Sequence, residues 1–163
     1  MEDALKRRVL DLLARHRIMT VATNRSDGWP QATTVGYVND GLTLYFLCNS
    51  ESQKAKNLAR DDRISLTIAH DTSDPMAITG LSMAAHAHPV TDATEVAKVF
   101  VGYRGAPSWQ SRCSVWWLLR ERYPQYAALP LPPEEIRIYR VVPTVISVID
   151  YAKGFGHSEL AVP

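Results

Sequence analysis

The run Cys48-Asn-Ser-Glu-Ser-Gln-Lys-Ala-Lys-Asn-Leu58 leaves an apolar stretch through hydroxyls and amides, then sets Lys54 and Lys56 in the first turns of an expected helix. A helix start presents unpaired N–H groups and the positive end of the macrodipole, so it attracts anions. First turns normally favour acidic residues, and lysines there reverse that preference. A bound phosphate accounts for the reversal. Taken alone, the segment reads more simply as a serine cap followed by solvated lysines.

The C-terminal run Asp150-Tyr-Ala-Lys-Gly-Phe-Gly-His-Ser-Glu-Leu160 is the second place where chemistry could reside. Gly154 and Gly156 let a backbone turn sharply or approach a ligand. Phe155 or His157 could then cover a bound ring, and His157 is the one candidate for giving or taking a proton. A flexible tail that merely ends the fold is the plain alternative. His86 and His88 alternate on an expected strand and share a face, but a pair without a third ligand does not define a metal site, and no metal is expected. Cys48 has no base in view, so it is not read as a nucleophile. Trp116 and Trp117 suit a core or a dimer surface. Arg104, Arg112, Arg120 and Arg122 read as a solvated face.

These residues need elements to position them. Leu5, Val9, Leu12 and Leu13 recur at helical spacing and predict an amphipathic helix over residues 2–16. Strands are expected at 18–23, 31–38 and 42–48, forming a meander whose second turn is Asn39-Asp40-Gly41. The third is apolar throughout and is expected to be covered on both faces, as in a barrel wall against an interface. Ser50 to Arg60 predicts a helix over 52–60, and Arg63-Ile-Ser-Leu-Thr-Ile-Ala69 alternates as a fourth strand. Residues 77–90 form one bent strand or two. Helices are expected at 92–102 and 108–123, a loop at 124–133 with its four prolines, and two last strands at 135–142 and 144–151 around Pro143. The whole is a single domain over residues 1–163: mainly β with peripheral helices (α+β), a six- to seven-stranded antiparallel barrel.

Composition bounds the function. A formal net charge of +1 gives no field to attract nucleic acid or an anionic membrane surface. No stretch approaches the roughly 18 apolar residues a membrane span needs, and the acidic N-terminus is not read as a signal peptide. Two cysteines outside any Cys-x-x-Cys pair fit a reducing cytosol, so a cytoplasmic protein is expected.

The series Gly28-Trp-Pro-Gln-Ala-Thr-Thr-Val-Gly-Tyr37, Asp40-Gly-Leu-Thr-Leu-Tyr-Phe-Leu-Cys48, Ser52-Gln-Lys54, Asn57-Leu58 and Asp61-Asp-Arg-Ile-Ser-Leu66 resembles the pyridoxamine 5'-phosphate oxidase-like, FMN-binding split-barrel family. The likeness is continuous over about residues 17–70 and looser to about 152. It implies a split β-barrel that forms a homodimer with FMN at the subunit interface. It places Ala32, Thr33, Thr34 and Val35 along the flavin and ribityl chain, Leu47, Cys48 and Asn49 at the next contacts, and Ser52, Gln53 and Lys54 on the phosphate. Gln53 stands where the family has arginine, so the forked donor is lost: either phosphate affinity falls, or Lys56 or a basic residue elsewhere helps. The second strand lacks the positive charges of pyridoxamine phosphate oxidases proper, and Gly80 falls near a glutamine they use. The implied activity is therefore a flavin-dependent oxidoreductase on an unidentified small molecule, not that oxidase itself. A non-catalytic flavin-binding protein and a deazaflavin- or haem-binding relative are the alternatives.

Overall fold

The computed structural model describes residues 1–91, 122–124 and 135–163. The helix expected at 92–102, all but the last two residues of that expected at 108–123, most of the loop at 124–133, and with them Trp116, Trp117, Arg104, Arg112 and Arg120, lie outside the described residues.

The first helix, α1 (Asp3–Arg15), buries Val9, Leu12 and Leu13, as its periodicity requires. Its last carbonyls are taken up by the Arg122 guanidinium, which donates to Leu13 O (3.2 Å), Ala14 O (3.3 Å) and His16 O. A cation at a helix C-terminus satisfies orphan acceptors and opposes the dipole.

Among the described residues, eight strands follow in one antiparallel sheet: β1 (Ile18–Asn24), β2 (Pro30–Gly36), β3 (Val38–Asp40), β4 (Thr43–Asn49), β5 (Arg63–Ala69), β6 (Thr79–Pro89), β7 (Ile136–Asp150) and β8 (Ser158–Ala161). Their order is β2-β1-β5-β6-β7-β4-β3, with β8 also paired to β7. The expected second strand is two strands. β2 pairs β1 at one end of the sheet, and β3 pairs β4 at the other. Tyr37 lies between them, fully buried, so the two ends of the curled sheet are joined through one residue. Its N–H donates to Arg17 O (3.1 Å), its hydroxyl donates to Leu13 O (2.8 Å), and the Tyr123 hydroxyl bridges Tyr37 and Arg17. No proline or turn pair interrupts residues 31–38 at this corner, which is why a single strand is read there.

The last two strands expected around Pro143 are one strand, β7. Ala84 pairs Val145 while Ala85 pairs Pro143, leaving Thr144 as an extra residue in a bulge. A proline lacks the N–H that a ladder needs, and a bulge is a position where that lack is tolerated. The alternative of a flexible tail after the last strand is not what forms. Gly154 (φ 142°) and Gly156 (φ 76°) turn the chain so that β8 returns along Ile146–Ile149.

A main core runs from α1 through Met19, Val21, Leu44, Phe46, Leu66, Ile68, Leu81 and Ile146. Val38, Tyr45, Tyr123 and Ile138 form a smaller cluster. Leu44, Tyr45 and Phe46 are all buried, so both faces of β4 are covered, but at Tyr45 the cover comes from this chain's own Tyr123 and Ile138. Gly80 admits no side chain, because a Cβ there would stand 2.5 Å from Ile68 O. Among the described residues, no helix is long and apolar enough to cross a membrane.

Candidate functional site

The second helix, α2 (Gln53–Arg60), enters from β4 through a tight turn. Asn49 Oδ1 accepts from Glu51 N (2.8 Å), Asn49 O accepts from Ser52 N (3.1 Å), and Ser50 N donates across to Glu135 O (2.8 Å). Ser52 is the N-cap, its hydroxyl accepting from Ala55 N at 3.3 Å. No acidic residue occupies the first turn.

Lys54 turns inward and is only 7% exposed. Its ammonium donates to Thr33 Oγ1 on β2 (2.8 Å) and sits 5.8 Å from the centre of the Phe46 ring. Among the described residues it has no carboxylate partner. Burial holds its pKa below the ordinary lysine value, against an opposing pull from Cys48.

One turn on, Asn57 is 2% exposed and ties three elements together. Its Nδ2 donates to Thr23 Oγ1 on β1 (2.9 Å) and to Gln31 Oε1 on β2 (3.2 Å), while its Oδ1 accepts from Gln53 Nε2 (2.9 Å). The Gln53 amide is therefore spent on the helix itself. Thr23, Gln31 and Asn57 form a part of the site that reading the sequence missed. The available signal is a poor helix former, Asn57, placed three residues after Lys54 on the same helix face.

Burial alternates along β2. Gln31, Thr33 and Val35 are partly buried, with Val35 packed on the main core, while Ala32 and Thr34 are exposed. Only Thr33 of the four β2 candidates has its side chain on Lys54. On β4, Leu47 packs with the smaller cluster, and Asn49 is exposed and builds the turn. Cys48 is half-buried, packs on the main core, and pairs directly with Arg137 of β7. Burial pushes its thiol pKa up, with Ser52, Lys54 and Arg137 pulling the other way. Beside α2 lies a cleft of about 200 Å³ lined by Ser50, Ala55, Lys56, Pro89, Arg137 and Tyr139, among others.

His157 stands elsewhere. Its Nε2 is 3.2 Å from Glu159 Oε1, which also accepts from Lys153 Nζ (2.6 Å) and Arg8 Nη1 (3.3 Å); Arg8 in addition pairs with Asp150. From Arg137 to Ile149, where β7 meets the start of β8, the strand's contour is about 40 Å. Within one chain, His157 belongs to this clamp and not to the surroundings of Lys54. His86 and His88 stack with parallel rings 6.0 Å apart, their Nδ1 atoms 3.0 and 3.5 Å from the Asp62 carboxylate. Among the described residues, no group of three or more His, Cys, Asp or Glu could hold a metal ion.

A curled antiparallel sheet whose third long strand runs into a capped helix carrying a buried lysine defines a split barrel. Residues 5–138 match the profile of the pyridoxamine 5'-phosphate oxidase family, and the chain belongs to that family. It is 27% identical over 70 residues to general stress protein 26 of Bacillus subtilis, a match spanning 43% of this chain and 49% of that protein. Among solved structures, general stress protein 26 of Bacillus anthracis superposes with a TM-score of 0.65 at 14% identity, covering 98% of each chain. A haem storage protein of Vibrio cholerae superposes with a TM-score of 0.62 at 16% identity, covering 97% of this chain and 94% of that one. Both likenesses establish the fold.

Proposed function

We propose that this chain binds FMN and serves as a flavin-dependent oxidoreductase for a small molecule, acting in the cytoplasm as a homodimer with the flavin at the subunit interface. The observation that carries this reading is the Lys54 ammonium, buried against a hydroxyl and a ring with no counter-ion among the described residues. A buried charge is costly unless an opposite charge joins it. The terminal phosphate of FMN supplies that charge. Ser52, the first N–H groups of α2 and Lys54 would hold it, a donor set suited to a phosphate.

A bound flavin supplies hydride or electron transfer; the protein's part is placement. Thr33 fixes the ammonium, and Asn57 locks α2 to β1 and β2, so the helix start is held rigid from the side of β2. Cys48, kept protonated by burial, adds no second anion beside the phosphate. Val142, Val145 and Leu160 are exposed apolar side chains on β7 and β8, which favours a second subunit covering them.

A haem-binding reading is favoured by the fold shared with the Vibrio haem storage protein, and the half-exposed His86 and His88 offer ring nitrogens for it. The test is the visible spectrum of freshly purified protein, then titration with FMN, with Lys54→Ala alongside. A flavin band that Lys54→Ala weakens supports the FMN reading. A Soret band with no response to FMN replaces it with haem.

A further inference from the structure

We propose that Arg137 is the second cation of the phosphate site, reaching the start of α2 from β7, while Lys54 stands in the first turn of α2 itself and is held by Thr33 of β2. This rests on the reading of that helix start as a phosphate site. A phosphate monoester carries about −1.5 to −2 charges near neutral pH, more than one ammonium balances.

The cations near the helix start divide by their partners. Lys56 is 3.7 Å from Glu51 and both side chains are exposed. Gln53 is neutral, and its amide is donated to Asn57. Among the described residues Arg137 forms no ion pair, and Glu51, which lines the same cleft, is paired with Lys56. Its position is fixed by the ladder. It lies directly opposite Cys48 across β4 and β7, one pair before Leu47–Ile138 and two before the stacked Phe46–Tyr139 pair, whose ring centres are 5.2 Å apart.

Cross-strand partners share a face, so Arg137, Cys48, Phe46 and Tyr139 stand on one side of the sheet, the side on which Lys54 lies over Phe46. Lys54 and Arg137 both act on the Cys48 thiol, as does Ser52, each opposing the rise that burial causes. Arg137 and Ser50 also line the same cleft beside the helix. A guanidinium there gives the forked donor that a phosphate takes in bidentate fashion and that position 53 lacks. Sequence reading points to position 53 and its helix neighbours. The ladder brings the replacement from 84 residues further along the chain.

The experiment is titration of purified protein with FMN and with riboflavin, which has the same ring and ribityl chain but no phosphate, followed by flavin fluorescence. Arg137→Ala should weaken FMN tenfold or more and leave riboflavin unchanged. Arg137→Lys, which keeps charge without the fork, should fall between. Gln53→Arg in the Arg137→Ala background should recover most of the loss, which a merely structural defect would not allow. If Arg137→Ala keeps the wild-type preference for FMN while Lys54→Ala loses it, Arg137 is not part of the site and the phosphate reading survives. If the wild-type protein binds FMN no better than riboflavin, both fall.

Discussion

Two polar clusters hang on the same sheet and do opposite things with their charges. At the C-terminal hairpin, Arg8 and Lys153 face Asp150 and Glu159, so the charges balance within the cluster. At the start of α2, Lys54 faces one hydroxyl and an aromatic ring, so a positive charge is left over. The first cluster is complete as folded and clamps α1 to the last hairpin. On the proposed reading, the second is completed by an anion. Lysine, histidine and glycine occur in or beside the hairpin in a pattern that looks functional in sequence, yet the balance of charge marks it as structural. The charge left over, rather than the presence of reactive residue types, separates a site from a brace.

The sharpest way to break the comparison is Lys54→Met. It should lower FMN affinity roughly ten- to a hundredfold, the loss of a charged hydrogen bond of about 1.5–3 kcal/mol. The same change should raise the melting temperature of the ligand-free protein by roughly a few degrees, since a buried uncompensated charge gives way to an apolar side chain. The sign with pH follows from the lowered lysine pKa. Between that value and the ordinary 10.5 the unfolded chain binds the proton and the folded one does not, so stability rises with pH there. Lys54→Met should flatten that rise. A variant that loses stability along with FMN would make Lys54 a brace as well.

Asn57→Ala comes next. It strands the buried Thr23 hydroxyl together with Gln31 and Gln53, and should cost about 2–3 kcal/mol in urea unfolding. Arg8→Ala, on the balanced side, should cost about 1 kcal/mol or less, because its ion pairs are partly exposed. Its readout is faster amide exchange in β8 with FMN affinity unchanged. The smallest effect is acid sensitivity of the hairpin. Lys153, then His157, hold the Glu159 carboxyl down to about 2 from an ordinary 4.5. Stability from that group is present above 4.5 and lost as pH falls toward 2, so Glu159→Gln should remove only that part of the acid slope.

What the sequence makes legible follows from how local the signals are. The fourth expected strand matches β5 residue for residue because Ile64, Leu66 and Ile68 alternate with exposed neighbours. The start of α2 is legible because a serine cap acts within three residues. Pro143 misleads because a proline's meaning depends on the partner strand, and the bulge opposite Ala84 and Ala85 exists only in the sheet. Tyr37 is hidden because the corner between β2 and β3 carries no proline or turn pair to mark it. In the site, Lys54 announces itself by position. Thr23, Gln31 and Asn57 do not, since three ordinary polar residues on three elements become a network only when β1, β2 and α2 meet.

The corner at Tyr37 also decides how the protein behaves toward its neighbours in solution. The sheet begins with β2 and ends with β3, and one residue holds those ends together. A chain circularly permuted there would keep nearly every residue yet release two raw strand edges, each a template for a stranger's backbone. Such a permutant should aggregate, where one opened at the exposed Asp40–Gly41 turn should stay dispersed.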